Sequence, residues 1–260
     1  MDKEDFLKKI LNDKTSGSTQ LLLNLNRIIK NNINDASELN SIIKESKKYF
    51  ITFSAIQKYI SQVEKIKHDS KKLKYFVSSF TNNEYSLFDA VYKNARSYIK
   101  YLRTILTLSN SKTLLEIFTL WKKDNPKIKI IIAESRPSFE GRIMAKELLR
   151  REINVEIIPD ASVPNSIQNA DAAIIGADKI LQNGNVINKI GSLTAALSCK
   201  YFNKPFYVMA SKEKYSNDKE LIQQKQNPEE IWKHKSPLLN ITNFYFEEID
   251  KKLITKIITN

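Results

Sequence analysis

Apolar residues in the first hundred positions recur at three- and four-residue spacing. Phe6, Leu7, Ile10 and Leu11 open the pattern. Gly17-Ser18-Thr19 interrupts it, with Ser18 placed to cap the helix that follows, and Leu21, Leu22, Leu25, Ile28 and Ile29 then form one stripe. Leu39, Ile42, Ile43 and Phe50 predict a third helix, and Ile56, Tyr59, Ile60, Val63 and Ile66 a fourth. Leu73, Phe76, Val77 and Phe80 predict a fifth. Asn82-Asn83 breaks that stripe, and Leu87, Phe88, Val91, Ala95, Tyr98 and Ile99 carry a sixth. Core packing is the plain role of all these stripes.

After Leu102 the period changes. Short apolar runs at Thr104–Thr107, Lys129–Ala133, Val155–Pro159, Ala172–Ile175, Val186–Ile187 and Phe206–Met209 alternate with helix-length segments near Lys112–Lys123, Phe139–Arg151 and Leu193–Phe202. Strand and helix in alternation predict a parallel sheet with helices on both faces. A last run, Leu253–Thr259, reads as a strand returning to that sheet. The fold class is therefore α/β, with a helical domain over residues 1–103 and an α/β domain with a mainly parallel sheet over 104–260.

Composition narrows the chemistry. The chain has 260 residues, two His and one Cys. One Cys forbids an internal disulfide and points to a reducing, cytoplasmic setting, and the same count leaves no Cys/His metal cluster. No uninterrupted apolar stretch is long enough to span a membrane, and Met1-Asp2-Lys3-Glu4-Asp5 is too acidic to open a signal peptide. The net charge is +13. Its lysines are scattered and accompany no nucleic-acid motif, so the charge is read as attraction for anionic ligands rather than recognition of DNA or RNA.

In open parallel sheets, ligands sit beyond the carboxyl ends of the strands. After the first run come Ser109, Asn110, Ser111, Lys112 and Thr113, opening a helix whose free N–H groups and positive end suit a phosphate. Plain N-capping by Asn110 or Ser111 is the competing role. After the second run come Glu134, Arg136, Glu140, Gly141 and Arg142, where two arginines suit an anion and a Glu134–Arg142 salt bridge is the alternative. After the fourth come Gly176-Ala177-Asp178, a carboxylate placed for acid–base work or for capping its own turn. Asn183-Gly184 marks a turn, Asn188-Lys189 offers an amide and a cation, and Lys212 and Lys214 follow the last sheet run. Only five glycines are present and no G-x-G-x-x-G occurs, so no dinucleotide cofactor is expected, nor any other. His68 and His234 receive no role, and Cys199 reads as a small buried side chain.

These loops resemble one family. It joins the regulatory alpha, beta and delta subunits of the translation initiation nucleotide-exchange factor 2B to ribose-1,5-bisphosphate isomerase and methylthioribose-1-phosphate isomerase. The carrying segments are Glu134-Ser135-Arg136-Pro137 with Glu140-Gly141-Arg142, Gly176-Ala177-Asp178, Asn183-Gly184 with Asn188-Lys189-Ile190-Gly191, and Asn203 to Val208. The resemblance implies a Rossmann-like second domain, a homodimer or higher homo-oligomer formed through it, a ligand site between the domains, and a translation initiation partner. It implies Asp178 as the catalytic acid–base group. It also implies Asn188 and Lys189 as sugar contacts, Lys214 as a phosphate ligand, and Gly17, Ser18, Ser111, Lys112 and Thr113 as the phosphate cradle.

Departures weigh against turnover. Where the isomerases read Thr-His-Cys-Asn-Ser, this chain reads Thr107-Leu108-Ser109-Asn110-Ser111, so Ser109 stands at the catalytic thiol's place. The Arg of an N-terminal Arg-Gly-Ala motif is lost at Ser16-Gly17-Ser18, and a second Arg is replaced around Thr52-Phe53. A thiol ionises near pH ~8.5 and can be tuned toward neutrality, whereas a serine hydroxyl without a neighbouring base cannot. The leading reading is thus a regulatory or ligand-sensing protein that binds a phosphorylated sugar or nucleotide. An active sugar-phosphate isomerase and an interaction subunit with a vestigial pocket are the alternatives.

Overall fold

A computed structural model describes residues 3–260; Met1-Asp2 and the side chains of residues 3–6, Phe6 among them, lie outside the described set, and with them most of the acidic opening. The apolar stripes of the first hundred residues fold as α1 (Lys3–Leu11), α2 (Ser18–Asn31), α3 (Ala36–Tyr49), α4 (Ser54–Ile66) and α5 (Ser70–Ile99). Asp35 and Asp69 cap α3 and α5, their carboxylates accepting from the Glu38 and Lys72 N–H groups at 3.0 Å. Leu25, Ile29, Ile42, Ile56, Ile60 and Leu73 meet in one fully buried cluster. A buried polar link runs through it: Tyr59 Oη–H donates to Asn26 Oδ1 at 2.7 Å, and Asn26 Nδ2 donates to Val77 O at 3.0 Å, joining α4, α2 and α5.

The expected break at Asn82-Asn83 does not occur. Asn in a helix interior costs well under ~1 kcal/mol relative to Ala, and no Gly or Pro stands nearby. The buried face runs on from Leu73 and Val77 through Glu84 to Phe88, Val91, Ala95 and Ile99. A glutamate, Glu84, occupies one buried position of that face. The helix is about 45 Å long at ~1.5 Å per residue, enough to run from the helical cluster onto the sheet. Near its end Asn94 Nδ2 donates to Thr259 O at 2.8 Å.

From Thr104 the chain alternates β1 (Thr104–Leu108), α6 (Lys112–Asp124), β2 (Lys129–Ala133), α7 (Glu140–Arg150), β3 (Asn154–Ile158), α8 (Val163–Ile167) and β4 (Ala172–Ile175). There follow β5 (Lys179–Ile180), β6 (Val186–Lys189), α9 (Ser192–Tyr201), β7 (Phe206–Met209), β8 (Phe246–Ile249) and β9 (Lys256–Ile258). Six strands pair in parallel in the order β3-β2-β1-β4-β7-β9. Taken along the chain this is the 3-2-1-4-5-6 order of a doubly wound sheet, which reverses between β1 and β4. Alternate residues enter opposite cores: Ile105, Ile130, Ile132 and Ile174 join Phe118, Trp121 and Leu148 on one face. Leu106, Ile131 and Ile175 join Val163, Ile167 and Ala196 on the other.

Val186–Ile187 corrects one expectation. It does not enter the parallel sheet but pairs antiparallel with β5 and β8 in a separate three-stranded sheet. The Asn183-Gly184 turn, with Gly184 at φ 87°, returns the chain too sharply for the long crossover that a parallel partner needs. Leu253–Thr259 contains β9, which joins the main sheet beside β7 as expected.

Candidate functional site

The reversal between β1 and β4 opens a crevice at their carboxyl ends, between the Ser109–Ser111 loop and the Gly176–Asp178 loop. Ser109 sits in the left-handed region at φ 64°, a position a non-glycine residue holds only when its surroundings enforce it. The enforcement is visible. Ser109 N–H donates to Ser135 Oγ at 2.7 Å, and Ser135 Oγ–H donates in turn to Ala133 O at 3.1 Å. Asp160, beyond the end of β3, accepts from the N–H groups of Ser135 and Arg136 at 2.8 Å each. Three successive strand ends are thereby fastened to one another.

Ser111 caps α6, its Oγ accepting from Leu114 N–H at 3.3 Å. By helix geometry the N–H groups of Lys112 and Thr113 have no acceptor within the helix, so they remain available to an anion. The loop before α2 lies directly on this turn. Asn110 Nδ2 donates to Thr15 O at 3.1 Å, and a Cβ on Gly17 would stand 2.4 Å from Asn110 O, so only glycine allows the approach.

Ser18 does not cap α2. Gly17 is the residue before the helix, and the Ser18 hydroxyl faces the crevice instead. It accepts from Lys214 Nζ at 2.6 Å and donates to Asp178 Oδ1 at 2.6 Å. Lys214 is buried, and burial lowers its pKa against the opposing pull of Asp178 and Glu84. Glu84, buried on α5, is shifted up by the same desolvation, with Lys214 pulling it back and Glu213 adding to the rise.

Two adjoining cavities result. The smaller, about 40 Å³, is ringed by Gly17, Ser18, Ser109, Ser111, Lys112, Thr113, Asp178, Asn188 and Lys214, all picked out in the sequence. The larger, about 260 Å³, shares Gly17, Ser18, Ser109 and Asp178 with it and extends past Lys189 to Phe50, Phe53, Tyr245 and Phe246. Lys189 thus lies in the second wall rather than the first. Asn188 is buried, its Nδ2 donating to Ser192 Oγ at 2.9 Å. The Lys112 ammonium is held 2.6 Å from Glu116 one turn along its own helix, so the cradle gains the helix start more than the cation.

Arg136 and Arg142 line neither cavity. Arg142 binds Glu134 at 2.5 Å and lies 4.0 Å from the Phe139 ring, and Arg136 lies over the same ring at 4.9 Å. Cys199 is in the core beneath α9, where burial pushes its thiol up to about 12. Asp160 went unmarked in the sequence, and Glu140 was named there without a role of its own. Asp160 follows a strand end, and the rule that pointed to the other loops extends to it. Glu140 stands in the larger cavity's wall, in the first turn of α7. Among the described residues no cluster of His, Cys, Asp and Glu is placed to hold a metal ion, and no helix is long and apolar enough to cross a membrane.

A model of the initiation factor 2 subunit family matches residues 4–260. The chain belongs to that family. Among its relatives, a translation initiation factor eIF-2B subunit 2-like protein of Pyrococcus furiosus is 35% identical over 159 residues, covering 60% of this chain and 55% of that protein. The match thus spans about half the relative's length. A ribose 1,5-bisphosphate isomerase of Methanocaldococcus jannaschii is 27% identical over 87% of this chain and 75% of its own. The crystal structure of a translation initiation factor eIF-2B protein from Pyrococcus horikoshii OT3 superposes with a TM-score of 0.84, covering 99% of this chain and 94% of that one at 24% identity. The family therefore holds both initiation-factor-like and isomerase relatives of this chain, on one fold.

Proposed function

We propose that this family member binds a phosphorylated sugar or nucleotide as a sensor or regulatory subunit and does not isomerise it. The observation that carries the reading is Ser109. It stands where the resemblance to the isomerases puts their thiol, and neither cavity wall contains a Cys or a His. Moving a hydrogen between adjacent carbons needs an acid–base pair. Asp178 supplies one member, already bound to the Ser18 hydroxyl. Of the other carboxylates in the larger cavity's wall, Glu140 is ion-paired with Lys189, and Asp13 accepts from Thr15 and Ser16 of its own loop. The open helix start and the buried Lys214 support phosphate binding in the smaller cavity, and the larger supports the body of the ligand. Assembly as a homo-oligomer in the cytoplasm, with a translation initiation partner, completes the proposal on the strength of relatives named for that factor.

A coupled assay on ribose 1,5-bisphosphate, run on wild type and Ser109→Cys beside a thermal-shift panel of ribose phosphates and AMP, tests it. Stabilisation by at least one ligand without wild-type turnover is the expected result; a saturating ligand at about 100 times its Kd stabilises by ~2.7 kcal/mol. Turnover of about 1 s⁻¹ or more by the wild type overturns the reading in favour of an isomerase. No stabilisation by any phosphate overturns it in favour of a vestigial pocket.

A further inference from the structure

A second cleft lies at the far end of α6 from the crevice. The helix starts at the Ser111 turn and runs for 13 residues, about 20 Å at ~1.5 Å per residue. Its last turn and the end of α5 border a cavity of about 400 Å³, lined by Tyr92, Arg96, Ile99 and Lys100 on one side and by Trp121 and Asp124 on the other. That is within the usual range of small-molecule sites, ~300–1,000 Å³. Asn125 Nδ2 donates to Leu102 O at 3.0 Å and ties the two helix ends together near the amino end of β1.

Trp121 is 1% exposed, and its indole N–H has no acceptor among the described residues and no contact with solvent. A buried indole N–H usually finds a partner, and leaving one unpaired is costly. The charges around it favour an anion. Asp124 Oδ2 receives the Tyr92 hydroxyl at 2.6 Å and lies 3.0 Å from Arg96 Nε. Arg96 and Asp124 cancel, so Lys100 leaves the lining with one positive charge. Both helices end here with partial negative charge, which Arg96 in one last turn and Lys122 and Lys123 in the other offset. The outer N–H groups of Arg96 have no partner among the described residues, and its side chain is 63% exposed and able to turn. Tyr92, Ile99 and the indole ring supply an apolar wall.

We infer that this cleft is a second ligand site, which takes a small monocarboxylate with an apolar body. One carboxylate oxygen accepts from the Trp121 N–H, and the outer N–H groups of Arg96 turn inward to the other. The hydrocarbon part lies along Tyr92 and Ile99. Arg96 and Lys100, both exposed, move aside to admit it. A neutral molecule of the same shape satisfies the indole but leaves the excess cation unmatched. The site is independent of the crevice and of phosphate binding there.

The test reads the indole N–H itself. The chain has two tryptophans, and Trp232 is 57% exposed, so Trp232→Phe leaves Trp121 as the sole indole at little structural cost. The indole N–H resonance of this full-length variant is followed by NMR during titration with hexanoate, phenylacetate, their two amides and inorganic phosphate. A saturable downfield shift with at least one acid is expected. A charge-assisted hydrogen bond corresponds to about tenfold to a hundredfold in affinity, so the matching amide should bind at least about tenfold more weakly. Adding Arg96→Gln, an exposed change, should weaken the acid by about tenfold and leave the amide within about twofold. No saturable shift with either acid at millimolar concentration overturns the inference. Equal binding of acid and amide overturns it too, as does an acid affinity that Arg96→Gln leaves unchanged. The same shift from inorganic phosphate also overturns it, because the cleft would then take any anion.

Discussion

Lys214 and Asp178 grip the same hydroxyl. Ser18 Oγ lies 2.6 Å from the lysine ammonium and 2.6 Å from the aspartate carboxylate, accepting from one and donating to the other. The serine belongs to the helical part of the chain, and both partners follow strands of the α/β part. An opposite-charge pair held apart by one hydroxyl keeps both charges in place while leaving their outer faces to the smaller cavity.

Ser18→Ala removes the acceptor of a buried ammonium and the donor of a carboxylate together. A buried polar group left without its partner costs about 1–3 kcal/mol, and urea denaturation of Ser18→Ala against wild type is expected to show a loss in that range. A difference below ~0.3 kcal/mol would mean that water replaces the hydroxyl without penalty.

Glycine substitutions are expected to rank by what their new methyl meets. At Gly17 it lies 2.4 Å from a backbone oxygen, Asn110 O, which cannot turn aside. At Gly176 it lies 3.0 Å from Ser111 Oγ, the end of a side chain that can rotate. Gly17→Ala should cost about 1–3 kcal/mol by overpacking, and Gly176→Ala clearly less. Thermal unfolding of the pair decides the order, and the reverse order would refute the contact at Gly17.

Glu84 gives a pH dependence of known sign. Burial holds its carboxyl above the ordinary 4.5, with Lys214 opposing. A raised folded-state pKa means that the folded protein keeps a proton which the unfolded chain has released. The stability this contributes is present in full below the ordinary value and is lost as pH rises through the folded pKa. Wild type should therefore lose stability relative to Glu84→Gln as pH climbs above 4.5. Urea titrations of both proteins between about pH 4.5 and 8 measure it, and a constant difference would show that Glu84 does not titrate there.

The two cradle lysines should behave unequally. Lys112 spends its ammonium on Glu116, whereas Lys214 is buried behind Ser18 in the cavity wall. On the proposed function, Lys112→Met should change the affinity for inorganic phosphate by less than about threefold, and Lys214→Met should lower it by tenfold or more, the weight of a charge-assisted hydrogen bond. Equal losses, read by titration calorimetry on both variants, would place the Lys112 ammonium in the cradle after all.

Local pattern made much of the fold legible. Lys129–Ala133, Ala172–Ile175 and Phe206–Met209 are strands to the residue, because apolar runs bounded by turns and followed by helices have few other places to go. β8, Phe246-Glu247-Glu248-Ile249, was invisible because two of its four residues are charged on a small antiparallel sheet. α5 was cut in two at Asn82-Asn83, where the apolar stripe lapses; Glu84 holds a buried position just beyond, and the Lys214 charge that acts on it is supplied only by the tertiary structure. The site divides likewise. Loops after strands were legible by topology, while the directions of side chains were not. Ser18 looked like a cap because only the folded chain brings Lys214 to it, whereas for Arg142 the sequence left an anion ligand and a Glu134 salt bridge open, and the fold makes the salt bridge.

The bridge at Ser18 also dictates when the site can come into being. Its three members are far apart along the chain, Ser18 lying 160 residues before Asp178 and 196 before Lys214. Closing a loop of that size is entropically slow, and it brings no reward until both ends already have structure to present. The pocket is therefore a late product of folding, absent from any nascent chain that ends before Lys214. A ligand that needs the pocket can hold the finished protein together but cannot guide the early steps, so adding it to a refolding reaction should slow unfolding while leaving the first refolding phase unchanged.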